Sequence, residues 1–132
     1  MKLRNKKKYF TYIVNKKFGD YYLPTRFQYV ILRDYYQKIN ANFILPQGEP
    51  IFSNSKIRLR TIVKNLKLND GLVFLSIYQM PENKEIRESL LKELLKKKIE
   101  LHFIFEGLIM KNKKDFQKIN NIFKLNKFIN AN

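Results

Sequence analysis

The chain has 132 residues, a formal net charge of +16 from 27 basic and 11 acidic side chains, and no cysteine. That length suits one domain and is too short for two independent cores, and the lack of cysteine excludes a disulfide scaffold, a thiolate metal site and a cysteine nucleophile. No apolar run approaches the roughly 20 residues that span a bilayer. The basic start Met1–Lys8 has no small-residue cleavage site after it, so a soluble, cytoplasmic protein is expected.

Residues 1–8 read as a basic tail, 9–129 as a single α/β domain and 130–132 as a second tail. Lys8–Val14 is aromatic and β-branched and predicts a first strand, ending in the polar run Asn15–Lys17. Pro24 can open a helix, where its missing N–H is unpaired anyway. Phe27, Val30, Ile31 and Tyr35, spaced by threes and fours, mark the expected buried face of that helix, running to about Ile39. Asn42–Leu45 predicts a second strand, closed by the loop Pro46-Gln47-Gly48-Glu49-Pro50. Ser53-Asn54-Ser55 offers caps for a helix with Ile57, Thr61, Ile62 and Leu66 on its apolar side.

Asp70-Gly71-Leu72-Val73-Phe74-Leu75 is a short apolar run that stops in Ser76, Tyr78 and Gln79, the pattern of a buried parallel strand. A helix is expected from Pro81-Glu82 to Lys98, with acids in its first turn and lysines in its last, both favourable to the helix dipole. Ile99–Phe105 predicts a fourth strand followed by a turn at Glu106-Gly107, and Asp115–Phe128 a last helix.

Four strands alternating with four helices predict a single-domain, three-layer α/β fold: a mainly parallel four-stranded sheet with helices on both faces, flavodoxin-like or like the catalytic domain of recombinases. In such folds ligands bind beyond the carboxyl ends of the strands. The expected rim therefore carries Asn15, Lys16, Gln47, Glu49, Ser76, Tyr78, Gln79 and Glu106.

Each candidate has a plainer alternative. Glu49 and Glu106 suit a general acid and base or a pair binding sugar hydroxyls, or each caps a helix or pairs with a lysine. His102, the single histidine, is a catalytic candidate by its ordinary pKa, although within a strand a packed, hydrogen-bonded role is preferred. Arg33 could reach an anion and Asp34 orient a basic group, or both form surface ion pairs; Gln28 lies on another side of the same helix. Ser76 has no His-Asp partners and no nucleophile elbow, which favours a hydrogen-bonding role. Tyr78 can stack on a sugar or a base, or close the core. Gly-rich phosphate loops and zinc or calcium motifs are lacking, so no cofactor and no metal are expected.

The charge itself invites a nucleic-acid partner. Yet lysine, asparagine, isoleucine, phenylalanine and tyrosine are all abundant, as A/T-rich codons would dictate, and the basic residues are spread along the chain. A solvated surface is the preferred reading.

From Tyr12 to about Leu125 the chain resembles the sporadic carbohydrate cluster proteins, small proteins encoded in bacterial surface-carbohydrate biosynthesis loci. The likeness is carried by Gln28 with Arg33-Asp34-Tyr35, by Asp70-Gly71-Leu72-Val73 with Ser76-Ile77-Tyr78-Gln79-Met80-Pro81, by Arg87, and by Leu101-His102-Phe103 through Glu106-Gly107-Leu108. It implies a setting in glycan synthesis rather than a reaction. A more distant likeness is to the catalytic domain of serine recombinases, but Asn15-Lys16 stands where that domain has its serine, and asparagine cannot form a phosphoserine link.

The function expected is binding of a sugar or nucleotide-sugar-like ligand at the strand carboxyl ends by Asn15, Lys16, Gln28, Arg33, Asp34, Ser76, Tyr78, Gln79 and Arg87. Whether the chain is an enzyme stays open. The alternatives are an accessory module for a partner biosynthetic enzyme and a nucleic-acid-binding protein. A homo-oligomer is compatible with either, and no membrane association is expected.

Overall fold

The computed structural model describes residues 7–14, 17, 22–43 and 57–130. In chain order these form strand β1 (Tyr9–Thr11), helices α1 (Thr25–Lys38) and α2 (Ile57–Asn65), and strand β2 (Gly71–Phe74). A 3-10 turn (Ile77–Gln79), helix α3 (Lys84–Lys96), strands β3 (Glu100–Phe103) and β4 (Leu108–Met110), and helix α4 (Lys113–Asn130) follow. The sheet order is β1-β2-β3-β4.

β1 and β3 both run parallel to β2, which is buried along its whole length. That double-sided burial explains why Leu72-Val73-Phe74-Leu75 is a continuous apolar run rather than an alternating one. β4 is antiparallel to β3, pairing Leu101 with Met110 and Phe103 with Leu108, so the sheet is mixed. The sequence predicts no strand at β4, because three residues are too few for a period to register. What makes the hairpin is the turn, where Gly107 takes φ +65°, a left-handed conformation that glycine adopts without steric cost. Of the expected strand Asn42–Leu45, Asn42 and Phe43 are not in a strand, and the rest lies outside the described residues, as do the expected caps Ser53–Ser55.

Two helix faces differ from expectation. α1 buries Gln28, Leu32 and Tyr36, whereas Phe27 and Val30 are exposed and Ile31 and Tyr35 are half-buried. An apolarity search passes over a stripe that begins with glutamine. α2 likewise buries Leu59 and Val63, where Ile62 is half-buried and Thr61 exposed; Leu66, just past its end, is buried as expected. α3 starts two residues later than expected, where the Asn83 side chain accepts a hydrogen bond from Ile86 N at 2.9 Å.

The core joins Tyr12, Leu32, Tyr36, Leu72, Phe74, Leu75, Leu101 and Phe103 with the apolar sides of α2, α3 and α4. Phe74 and Phe103 stack at 5.3 Å on one face of the sheet. On the other face Tyr9, Thr11, Gly71, Val73 and His102 share a side by register. There α1 is anchored by two hydroxyl contacts, Tyr36 to Thr11 and Tyr35 to His102.

Candidate functional site

At the carboxyl end of β2 the chain leaves the sheet at Ser76 and tightens into the 3-10 turn. Ser76 Oγ accepts from Tyr78 N at 3.2 Å and donates to Glu106 Oε2 at 2.8 Å, while Glu106 Oε1 accepts from Ile77 N at 2.9 Å. Both carboxylate oxygens of Glu106 thus tie the β3-β4 turn to the end of β2. Ser76 is completely buried in this knot. The two residues meet, as their places beyond neighbouring strands imply, and what they make together is a cap.

Gln79 is also completely buried. Its Oε1 accepts from Leu75 N at 2.9 Å, folding the turn back onto the strand. Gln28, buried on α1, uses both amide hydrogens to hold backbone carbonyls, Val14 at 2.8 Å and Leu23 at 2.7 Å. One polar atom on each remains: Gln28 Oε1, an acceptor, and Gln79 Nε2, a donor, are buried with no hydrogen-bond partner among the described residues. A buried polar atom left unpaired costs about 1–3 kcal/mol, so such atoms call for a partner. The backbone groups gripping these amides, Val14 C=O and Leu75 N–H, follow the carboxyl ends of the neighbouring strands β1 and β2.

The other candidates occupy different ground. Tyr78 is half-buried, its hydroxyl accepts from Asn126 Nδ2 at 2.6 Å and its ring meets Phe123 edge-on, so α4 covers this part of the rim. Arg87 is buried under α4, away from solvent. Its Nη1 donates to the carbonyls of Pro81 (3.0 Å) and Glu82 (2.9 Å), its Nε to Asn120 Oδ1 (2.8 Å), and its guanidinium lies 4.3 Å from the Phe123 ring. Arg33 is exposed and lies over Phe43, and Asp34 makes a surface ion pair with Lys38 at 3.0 Å. Asn15, Lys16, Gln47 and Glu49 lie outside the described residues.

His102 belongs to a separate network drawn from β1, α1 and β3. Its Nε2 faces Glu100 Oε1 at 2.6 Å, and Nδ1 faces the Tyr35 hydroxyl. Glu100 Oε2 in turn accepts from Lys7 Nζ at 3.1 Å, and the Tyr9 ring packs edge-on against the imidazole at 5.3 Å. These contacts select the neutral tautomer that donates from Nε2 to the carboxylate and accepts from tyrosine at Nδ1. The spacing Glu100–His102 on one strand face was the available signal, but the third member, Tyr35, comes from a helix 67 residues away.

Burial holds His102 below its ordinary pKa, against the raising influence of Glu100. Glu100 also titrates low, because hydrogen bonds from Lys7 and His102 outweigh the raising effect of its burial. Both groups therefore bind fewer protons folded than unfolded, and stability should fall as pH drops, first below about 6.5 as the unfolded histidine charges, then through the carboxylate range. Urea denaturation of the wild type at pH 7 and pH 5 should show this loss, and His102→Asn should lose less stability between the two. An equal pH slope in the variant would remove the histidine from the account.

Among the described residues no cluster of histidine, aspartate or glutamate could hold a metal ion, and no helix is long and apolar enough to cross a membrane. No family model, no curated protein and no solved structure matches this chain at significance.

Proposed function

We propose that this chain binds a sugar or nucleotide-sugar-like ligand at the carboxyl ends of β1 and β2, in bacterial surface-carbohydrate synthesis. The observation that carries the site is the pair of unpartnered buried amide atoms, Gln28 Oε1 and Gln79 Nε2, on side chains gripped by the ends of neighbouring strands. One asks for a donor and the other for an acceptor. A hydroxyl supplies both, and a sugar presents several hydroxyls in a fixed array. The setting rests on the resemblance of Gln28 with Arg33-Asp34-Tyr35 and of Asp70–Pro81 to the sporadic carbohydrate cluster proteins.

The proposed architecture supports the same location. α1 lies on the sheet face bearing Thr11 and His102, and α2 packs against α3. Taking α2 and α3 as the cover of the opposite face gives a three-layer, flavodoxin-like arrangement in which β1 and β2 are followed by helices on opposite sides. Open α/β sheets bind ligands outside the carboxyl ends of their strands.

A thermal-shift titration with a panel of nucleotide sugars tests this. A binding member at a hundredfold excess over its Kd should add about 2.7 kcal/mol to stability. Gln79→Met removes the unpartnered donor without placing a charge or a new O–H in the buried site, so, although it also gives up the acceptor for Leu75 N, it should reduce the ligand-induced increment measured against the variant's own baseline. No increment across the panel, or an undiminished one in Gln79→Met, counts against the site.

A further inference from the structure

The amino-terminal edge of the sheet, opposite the proposed ligand end, gathers lysines that the sequence leaves scattered. Lys8 precedes β1, and its carbonyl accepts from Gly71 N at 2.8 Å, which sets it beside the start of β2. Lys67 stands in the loop before β2, and Lys98 in the loop before β3; Asn69 N bonds Lys97 O at 2.9 Å, holding those two loops together. β4 runs antiparallel, so its end reaches this same edge: Met110 pairs with Leu101, which puts Lys111 beyond it, with Lys113 and Lys114 opening α4.

All six lysines are exposed, and none has an ion-pair partner among the described residues. The acids nearby are already engaged. Asp70 is buried and accepts from Lys67 N, Glu100 is held by Lys7 and His102, and Asp115 accepts from Lys111 N. Across three strand spacings, roughly 14 Å, this edge presents a row of net positive charge, six lysines against the carboxylates of Asp70 and Asp115.

We infer that this edge binds the phosphodiester backbone of double-stranded nucleic acid without reading its sequence. Lysine ammoniums act on phosphates as point charges, and their spread over four adjacent chain segments suits a row of phosphates rather than one small anion. Of the exposed aromatic side chains among the described residues, Tyr22, Phe27 and Phe105 lie before or within the first turn of α1 or after β3, at the other edge; Phe10 alone, in β1, stands near the lysines, and a single ring is no stacking platform for successive unpaired bases. The large apolar side chains Leu68 and Phe10 are exposed near these lysines, which is little to insert into a lipid surface. The inference does not depend on the sugar site, which lies at the opposite ends of the strands.

Fluorescence anisotropy with a labelled duplex of about 30 base pairs, titrated at several salt concentrations from about 50 mM upward, tests it. The wild type should bind, and affinity should fall steeply with salt. Replacing Lys67, Lys111 and Lys114 by glutamine should weaken binding at least about tenfold at the lowest salt and reduce the slope of log K against log salt by about 2 to 3. Replacing Lys84, Lys124 and Lys127 by glutamine removes the same charge elsewhere and should change affinity less than about threefold. Thermal melts of both triple variants confirm that each is folded. Equal weakening by the two triples would show that net charge, not placement, is responsible, and would overturn the inference. So would absence of duplex binding at the lowest salt, or binding to phosphatidylglycerol vesicles but not to the duplex.

Discussion

Arg87→Leu is expected to destabilise the protein by about 3–5 kcal/mol, a large fraction of the 5–15 kcal/mol available to a domain of this size. Arg87 is 4% exposed, and three of its N–H groups serve acceptors on two sides: the Pro81 and Glu82 carbonyls before α3, and Asn120 on α4. Leucine can fill part of the volume, but it leaves the buried Pro81 carbonyl and the part-buried Glu82 carbonyl and Asn120 amide without this donor, and removes the cation from the Phe123 ring. Burial lowers the Arg87 pKa while Glu88 opposes the change, and a guanidinium keeps its charge throughout the accessible pH range. Lysine cannot repair the site, because its ammonium lacks the planar fork that reaches carbonyl and asparagine at once. Thermal melts should place Arg87→Leu more than about 10 °C below wild type, with Arg87→Lys intermediate. A loss under about 1 kcal/mol would mean that α4 docks without this clamp.

Gly71→Ala should be nearly as damaging, through crowding rather than lost bonds. A Cβ at Gly71 would stand 2.3 Å from the Tyr9 ring, which lies across the glycine on the face shared with His102. The ring has little freedom to withdraw, since it packs edge-on against His102 at 5.3 Å and Tyr36 at 6.3 Å. Overpacking of this kind costs about 1–3 kcal/mol and here displaces two ring contacts as well. A double-mutant cycle isolates the cause. In a Tyr9→Ala background the Gly71→Ala substitution should cost less than about 1 kcal/mol, so the two changes are strongly non-additive. Additive costs in urea denaturation would show that glycine is needed for some reason other than the tyrosine ring.

These two residues also show what could be read from the chain before its fold was known. Gly71 opens the apolar run that identifies β2, and the strand, its burial and its parallel pairing follow from Leu72 to Leu75 being apolar without alternation. The reason for glycine at that point lies in a tyrosine 62 positions earlier, a contact no local pattern carries. Arg87 stood out only by resemblance, and its partner Asn120 belongs to a helix whose packing partner is not encoded in periodicity. Gln28 shows the same limit from the other side. Its burial on α1 runs against hydrophobic patterning and makes sense only once the Val14 and Leu23 carbonyls are seen beside it. The lysine edge was invisible for a topological reason, since only the antiparallel return of β4 brings Lys111 alongside Lys8, Lys67 and Lys98.

The carboxyl-edge ligand site is tested most directly by following side-chain amide resonances in 1H–15N spectra during titration with the nucleotide-sugar panel. Binding should shift the Gln79 Nε2 hydrogens most strongly, with smaller movements at Gln28, whose amide hydrogens stay on the Val14 and Leu23 carbonyls. A ligand that binds while both glutamine amides remain unmoved, or that shifts only resonances from the lysine edge, would contradict the assignment.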